Sequence, residues 1–262
     1  MSQRSIRNTA LIVYLFVGLL FGGKFVSAAE LPDTVDRIRP SIVGIGTVLP
    51  TRRPPGKFIG TGFVVADGRH IITNAHTIPK DINEERREVL AVLTGEGENK
   101  VREAELLFKD EDHDLALLRF KGPARPAMRL GQSASVREGE LYAFTGFPIG
   151  MVLGMRPVTH RGIVSAITPI AIPQISSRSL DPGMIKRLSE PYDVFQLDAT
   201  AYPGNSGSPL YHPETGEVVG VINKVFVKET KEKVLEKPSG ISYAIPIRYA
   251  KDLLKRAGVP VD

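Results

Sequence analysis

The chain has 262 residues, 42% of them hydrophobic and 24% charged, a balance that suits a globular protein with room for a large core. Its formal charge of +5 owes much to Arg4, Arg7 and Lys24; without these three, 31 basic residues face 29 acidic ones, which gives no reason to invoke nucleic acid or an anionic surface. No cysteine is present, so disulfides, thiolate metal sites and a cysteine nucleophile are excluded.

Residues 1–29 read as a secretory signal peptide. Arg4 and Arg7 precede an apolar run over residues 10–23, and Val26-Ser27-Ala28-Ala29 follows with small residues suited to cleavage after Ala28 or Ala29. The run is short for a membrane span, which disfavours the alternative of an uncleaved anchor. The mature protein is therefore expected to be exported, to the periplasm or the medium.

Short segments rich in Val, Ile and Phe then follow one another between Gly, Pro and Asp turns. Strands are expected over 41–48, 60–65, 69–73, 88–94, 102–108 and 115–120, with Asp67-Gly68 as a hairpin signal. Residues 121–139 carry little periodicity and read as a connection. A second group is expected over 141–146, 158–167, 194–198, 208–211, 218–227 and 240–244. Two clusters of six short strands predict an all-β protein of two six-stranded antiparallel barrels or sandwiches. Residues 168–191 read as a long irregular segment, a feature that often carries function, and 228–237 as a solvated, charge-alternating loop. Ile247, Ala250, Leu253 and Leu254 share one helical face between Pro246 and Gly258, so the chain closes with an amphipathic helix. The expected division is 1–29 leader, 30–125 first barrel, and 126–262 second barrel with the helix. No internal repeat is visible.

Gly204-Asn205-Ser206-Gly207-Ser208-Pro209 is the stretch around which the chemistry gathers. A serine between glycines can sit on a tight turn with free backbone N–H groups aimed at one spot, which suits attack on a carbonyl. By itself the stretch fits an ordinary turn equally well. His76 ends the apolar run Ile71-Ile72-Thr73-Asn74-Ala75, where a strand end fixes an imidazole at a cleft. Asp114 opens Leu115-Ala116-Leu117-Leu118, so its carboxylate is drawn inward and needs a donor such as an imidazole N–H. Asp110, Glu111 and Asp112 read as the exposed part of that loop. His113 is expected to point away from Asp114 by strand alternation, as a surface residue. A metalloenzyme built on His70, His76 and His113 is a further possibility, but no H-E-x-x-H or comparable ligand spacing supports it.

The order His76, Asp114, Ser206 matches the chymotrypsin arrangement, and neither the α/β-hydrolase nor the subtilisin order. Thr73-Asn74-Ala75-His76, Asp114-Leu115-Ala116-Leu117 and Gly204-Asn205-Ser206-Gly207-Ser208-Pro209 resemble the three motifs of trypsin-like serine proteases, closest to the HtrA/Deg branch. Gly60-Thr61-Gly62-Phe63-Val64-Val65, Leu130-Gly131-Gln132-Ser133, Gly146-Phe147-Pro148-Ile149-Gly150 and Gly162-Ile163-Val164-Ser165-Ala166 extend the resemblance over about residues 34–250. It implies a chymotrypsin-like double barrel with the site between barrels and a C-terminal α-helix. It also implies a serine endopeptidase with Ser206 as nucleophile, His76 as general base and Asp114 as its orienting acid, and with the N–H groups of Gly204 and Ser206 as oxyanion hole. Protein or peptide substrates are implied, and no cofactor or metal.

Departures from the family pattern qualify this picture. Ser208 stands where the family usually has glycine, a change that other branches tolerate. Thr200, six residues before Ser206, is not the acid that trypsins use for Arg/Lys recognition. Val221, Ile222 and Asn223 are expected to flank the S1 pocket, with small or medium aliphatic P1 residues; Lys224 offers an alternative preference for an acidic one. No PDZ domain is expected, since the 56 residues after Ser206 suffice for the remaining strands and the helix, and trimerisation is not expected, since residues 30–57 contain no aromatic of the kind that family trimers use. A catalytically silent or latent barrel that binds peptides is the competing reading.

Overall fold

The computed structural model describes residues 30–94, 101–148, 155–170, 191–223 and 240–261. Within them, twelve strands form two closed antiparallel barrels. The first comprises β1 (Ile42–Val48), β2 (Gly56–Val65), β3 (His70–Thr73), β4 (Val89–Leu93), β5 (Val101–Asp110) and β6 (Leu115–Phe120). The second comprises β7 (Leu141–Gly146), β8 (Val158–Pro169), β9 (Asp193–Asp198), β10 (Pro209–Tyr211), β11 (Val218–Asn223) and β12 (Ile241–Pro246). Around the first barrel the order is β1-β2-β3-β6-β5-β4, and around the second β7-β8-β9-β12-β11-β10. The two barrels thus share one topology although the sequence shows no repeat.

Some strands have both faces buried, which explains why they read as unbroken apolar runs. Along β6, Ala116, Leu118 and Phe120 fill the first barrel while Leu115 and Leu117 face a second core. The same split separates Val64 from Phe63 and Val65 on β2, and Ile71 from Ile72 on β3. In the second barrel, Leu210 and Ala244 point inward while Tyr211, Val221 and Ile245 join Phe63, Leu115 and Leu117 in the shared core. That shared core welds the barrels together. The closing helix, here α2 (Ile247–Arg256), adds Ile247, Ala250, Leu253 and Leu254 to it, all at most 1% exposed. This is the face that the sequence marks.

Several bounds differ from expectation. β2 starts at Gly56 rather than 60, β5 continues to Asp110, and β8 continues through Pro169, so the segment expected to be irregular from 168 opens as strand. Residues 171–190 of that segment, the leader at 1–29, and the 224–239 stretch lie outside the described residues. A helix the sequence reading missed, α1 (Leu31–Ile38), carries proline in its first turn and buries Thr34 and Ile38. Thr34 Oγ1 donates to the Glu214 carbonyl at 3.0 Å and Arg37 Nη2 to the Thr215 carbonyl at 3.0 Å. α1 therefore docks on the β10–β11 turn of the second barrel before the chain enters β1 of the first. The connection between barrels stays on the first through Met128, whose N–H donates to Val64, and reaches the second at Gly131, whose N–H donates to Val218.

Candidate active site

His76 sits in a single 3-10 turn, Ala75–Thr77, directly after β3. Asn74 before it is fully buried and donates its side-chain N–H to the Asp114 carbonyl at 3.1 Å; the Ala75 N–H reaches the same carbonyl. Thr77 Oγ1 donates back to the Asn74 carbonyl at 2.7 Å. The turn is thereby clamped to the start of β6 before any side chain of catalytic type is considered.

Asp114 has a left-handed backbone, φ 51°, uncommon for a residue with a side chain and a conformation held only where the surroundings enforce it. Its Oδ1 accepts the backbone N–H of His76 at 2.9 Å and its Oδ2 accepts from His76 Nδ1 at 2.6 Å. An ionised carboxylate only accepts, so the Nδ1 of His76 carries a proton, and in the neutral imidazole Nε2 then keeps its lone pair. A third donor arrives from the second barrel. Asn223 Nδ2, at the end of β11, donates to the same Oδ2 at 2.8 Å. A carboxylate that is 16% exposed is thus satisfied by two residues on two barrels, which offsets the cost of drawing it from water.

Ser206 lies on a turn shaped by Gly204 (φ 99°) and Gly207 (φ 86°). Asn205 N–H donates to the Tyr202 carbonyl, Ser208 N–H to the Asn205 carbonyl, and Gly207 N–H to the Ile222 carbonyl. No acceptor among the described residues takes the N–H of Gly204 or of Ser206. The turn is also held from the first barrel. Thr61 on β2 donates its N–H to the Ser206 carbonyl at 2.9 Å and its Oγ1–H to the Gly204 carbonyl at 2.7 Å. A Cβ on Gly60, beside it, would lie 2.7 Å from Thr77 Cγ2 and 3.1 Å from the Ser206 carbonyl oxygen. The histidine turn and the serine turn therefore meet across Gly60 and Thr61. Ser206 is 7% exposed, and no hydrogen bond joins it to His76 in this structure.

A cavity of about 390 Å³ adjoins His76, Asp114 and Asn223, walled by Ile78, Pro79, Ile170 and Tyr192. Among the residues expected to contact substrate, Thr200 is half-buried just past β9. Its neighbours are pinned by Ser242 Oγ, which accepts from the Ala201 N–H at 2.8 Å and donates to the Ala199 carbonyl at 2.6 Å. Val221 and Ile222 are fully buried, one in the shared core and one inside the second barrel, so this strand offers a cleft its backbone and not those side chains. The side chain of Asn223 is committed to Asp114. Its role was legible in principle, since a polar residue ending the run Val218–Ile222 demands a buried partner. His113 differs from expectation. It stacks on Tyr249 of α2 with centroids 3.9 Å apart, and its Nδ1 bonds Asp110 Oδ2 at 2.9 Å. Strand alternation does not govern it because Asp114 breaks the extended backbone. Among the described residues no three His, Asp or Glu side chains are grouped to hold a metal ion.

The Trypsin-like peptidase domain family model matches residues 60–221. A "Probable periplasmic serine endoprotease DegP-like" of Pseudomonas fluorescens is 31% identical over 88% of the chain and 50% of the relative. A "Serine protease HTRA2, mitochondrial" of Drosophila pseudoobscura pseudoobscura is 33% identical over 76% of the chain and 39% of the relative. The chain spans half or less of the length of these relatives. Among solved structures, "HtrA-type protease AlgWS227A with tripeptide" superposes with a TM-score of 0.62 at 24% identity, over 87% of this chain and 63% of that one; this likeness supports the chymotrypsin-like fold. With the matched segment running from the first barrel to β11, the chain belongs to the trypsin-like peptidase family, in its HtrA/DegP branch.

Proposed function

We propose that this chain is an exported serine endopeptidase in which Ser206 is the nucleophile, His76 the general base and Asp114 the group that orients it. The observation that carries the reading is the Asp114 carboxylate bonded to His76 Nδ1 at 2.6 Å, which leaves Nε2 to accept a proton, on a turn that meets the glycine-flanked Ser206 turn across Gly60 and Thr61. Ser206 Oγ attacks the scissile carbonyl carbon while its proton passes to Nε2. The carbonyl π electrons move onto oxygen, and the N–H groups of Gly204 and Ser206 hold that oxyanion; one such donor is worth about 3–4 kcal/mol of barrier. Collapse breaks the C–N bond, and His76 returns the proton to the leaving amine. Water then attacks the acyl ester, gives a proton to His76, and the acid product leaves as Ser206 regains its hydrogen. Asp114 stays ionised throughout.

The substrates are proteins or peptides, and Thr200 argues against selection of Arg or Lys at P1. Export rests on the leader-like residues 1–29 and on the word "periplasmic" in the names of relatives; among the described residues no helix is long and apolar enough to cross a membrane. The missing Ser206–His76 hydrogen bond favours a second reading, a latent resting form that tightens when a peptide binds.

The test is labelling of the full chain by a fluorophosphonate probe, beside Ser206→Ala and His76→Ala. Wild-type-only labelling supports the endopeptidase. Labelling that appears only after a peptide is added supports latency, and labelling that survives Ser206→Ala overturns the assignment of the nucleophile. Sequencing the N-terminus of the exported product tests cleavage near Ala28.

A further inference from the structure

We propose that Thr61 is a positioning residue that aims the oxyanion-binding amides, through its hydroxyl and from the opposite barrel; this rests on the endopeptidase reading above. Thr61 is fully buried on β2 and each of its polar groups is engaged. Its N–H donates to the Ser206 carbonyl at 2.9 Å, and its carbonyl accepts from Thr73 Oγ1 at 2.7 Å. Its Oγ1 donates to the Gly204 carbonyl at 2.7 Å while accepting the Phe147 N–H at 3.0 Å.

Peptide planarity turns these contacts into control of the two free amides. The carbonyls of Gly204 and Ser206 flank the Asn205–Ser206 peptide, and Thr61 holds both. The Asn205 carbonyl is itself held by the Ser208 N–H at 3.0 Å, so the Ser206 N–H on the same peptide plane must point the other way. Fixing the Gly204 carbonyl limits rotation about that glycine, whose φ of 99° is open to many alternatives without a Cβ. The Gly204 N–H therefore keeps its aim only while its carbonyl is anchored. Because Thr61 belongs to the first barrel and Gly204, Ser206 and Phe147 to the second, the aim depends on how the barrels are seated against each other. The backbone N–H of Thr61 survives any substitution there; the hydroxyl bridge from Phe147 to Gly204 does not.

The test compares Thr61→Val, which matches threonine in shape without donating or accepting, with Thr61→Ser, in the full chain. Peptidase kinetics, the rate of fluorophosphonate labelling, and inhibition by a peptide aldehyde are measured, with thermal melting alongside. The expected result is a fall in kcat of about 10–100-fold for Thr61→Val with KM within about twofold, since a misaimed donor loses up to what a deleted one loses. Aldehyde affinity falls in parallel with kcat, because its adduct carries the oxyanion, and Thr61→Ser restores kcat to within about threefold. A Thr61→Val protein with wild-type kcat overturns the proposal, as does one whose lower activity is fully accounted for by its unfolded fraction. Should Thr61→Val not fold, Thr61→Cys takes its place: a weak thiol donor is expected to give an intermediate kcat at a normal melting temperature, and wild-type kcat there overturns the proposal. A wild type that neither cleaves nor labels with or without peptide removes the endopeptidase reading and this role with it, an outcome distinct from an active wild type with an equally active valine variant.

Discussion

Asn223 and His76 share one acceptor: Asp114 Oδ2 lies 2.8 Å from Asn223 Nδ2 and 2.6 Å from His76 Nδ1. The asparagine comes from β11 of the second barrel and the histidine from the turn after β3 of the first. A carboxylate held this way cannot rotate, so the imidazole it orients keeps one tautomer and one plane. Asn223→Ala removes the second donor from a charged acceptor, an interaction worth about 1.5–3 kcal/mol. The expected outcome is a drop in kcat of at least about tenfold with little change in KM and a retained melting transition. Steady-state kinetics on the purified variant decide it; unaltered kcat means that His76 alone suffices to hold Asp114.

Gly207 sets the exit of the serine turn. Its φ is 86°, and a Cβ there would collide with the Thr61 carbonyl oxygen and crowd Thr73 Oγ1. Gly207→Ala is expected to abolish fluorophosphonate labelling and to destabilise the fold by more than about 2 kcal/mol, since strain and backbone overlap act together. Denaturant unfolding and labelling on the same sample test this. A variant that labels at the wild-type rate counts against the turn geometry.

The interface at α2 carries a pH signature. Burial works to raise the Asp110 carboxyl, but hydrogen bonds from the ring and backbone N–H of His113, with the charges of His113 and Arg256, hold it below its ordinary value. A carboxylate depressed by folding contributes its stability above its unfolded value of about 3.9, and loses it as pH falls through the folded value. Asp110→Asn is thus expected to melt lower than the wild type at pH 7, with the gap closing below about pH 4. Equal melting temperatures at pH 7 would contradict this.

A second acid-sensitive group lies in the second barrel. Burial lowers the pKa of His160, whose ring stacks on Phe144 with centroids 4.9 Å apart and whose Nε2 is buried without a partner among the described residues. Here the unfolded chain binds the proton more readily than the folded one, so stability declines as pH falls below about 6.5. His160→Phe keeps an aromatic on Phe144 and removes the proton site. Its melting temperature is expected to vary less between pH 7 and 5 than that of the wild type; parallel curves would refute the assignment.

The sequence by itself determined the strand count, the closing helix and the three motifs, because each is written in local signals: apolar runs between turn residues, a helical stripe from Ile247 to Leu254, and short polar signatures at strand ends. The tertiary structure alone decided what holds those motifs in place. Asn223 reaches Asp114 across 109 residues of chain and Thr61 reaches Gly204 across 143, and no local pattern encodes a partner at that separation. His113 was misread for a related reason. Alternation fixes a side chain's direction only while the backbone stays extended, and the left-handed Asp114 ends that rule one residue away. Val221 and Ile222 flank a pocket in the linear reading, whereas their side chains lie one in the shared core and one inside the second barrel, and it is Asn223 at the end of the same strand that reaches the cavity beside His76. Local physics chose the elements; the seating of one barrel on the other chose their partners.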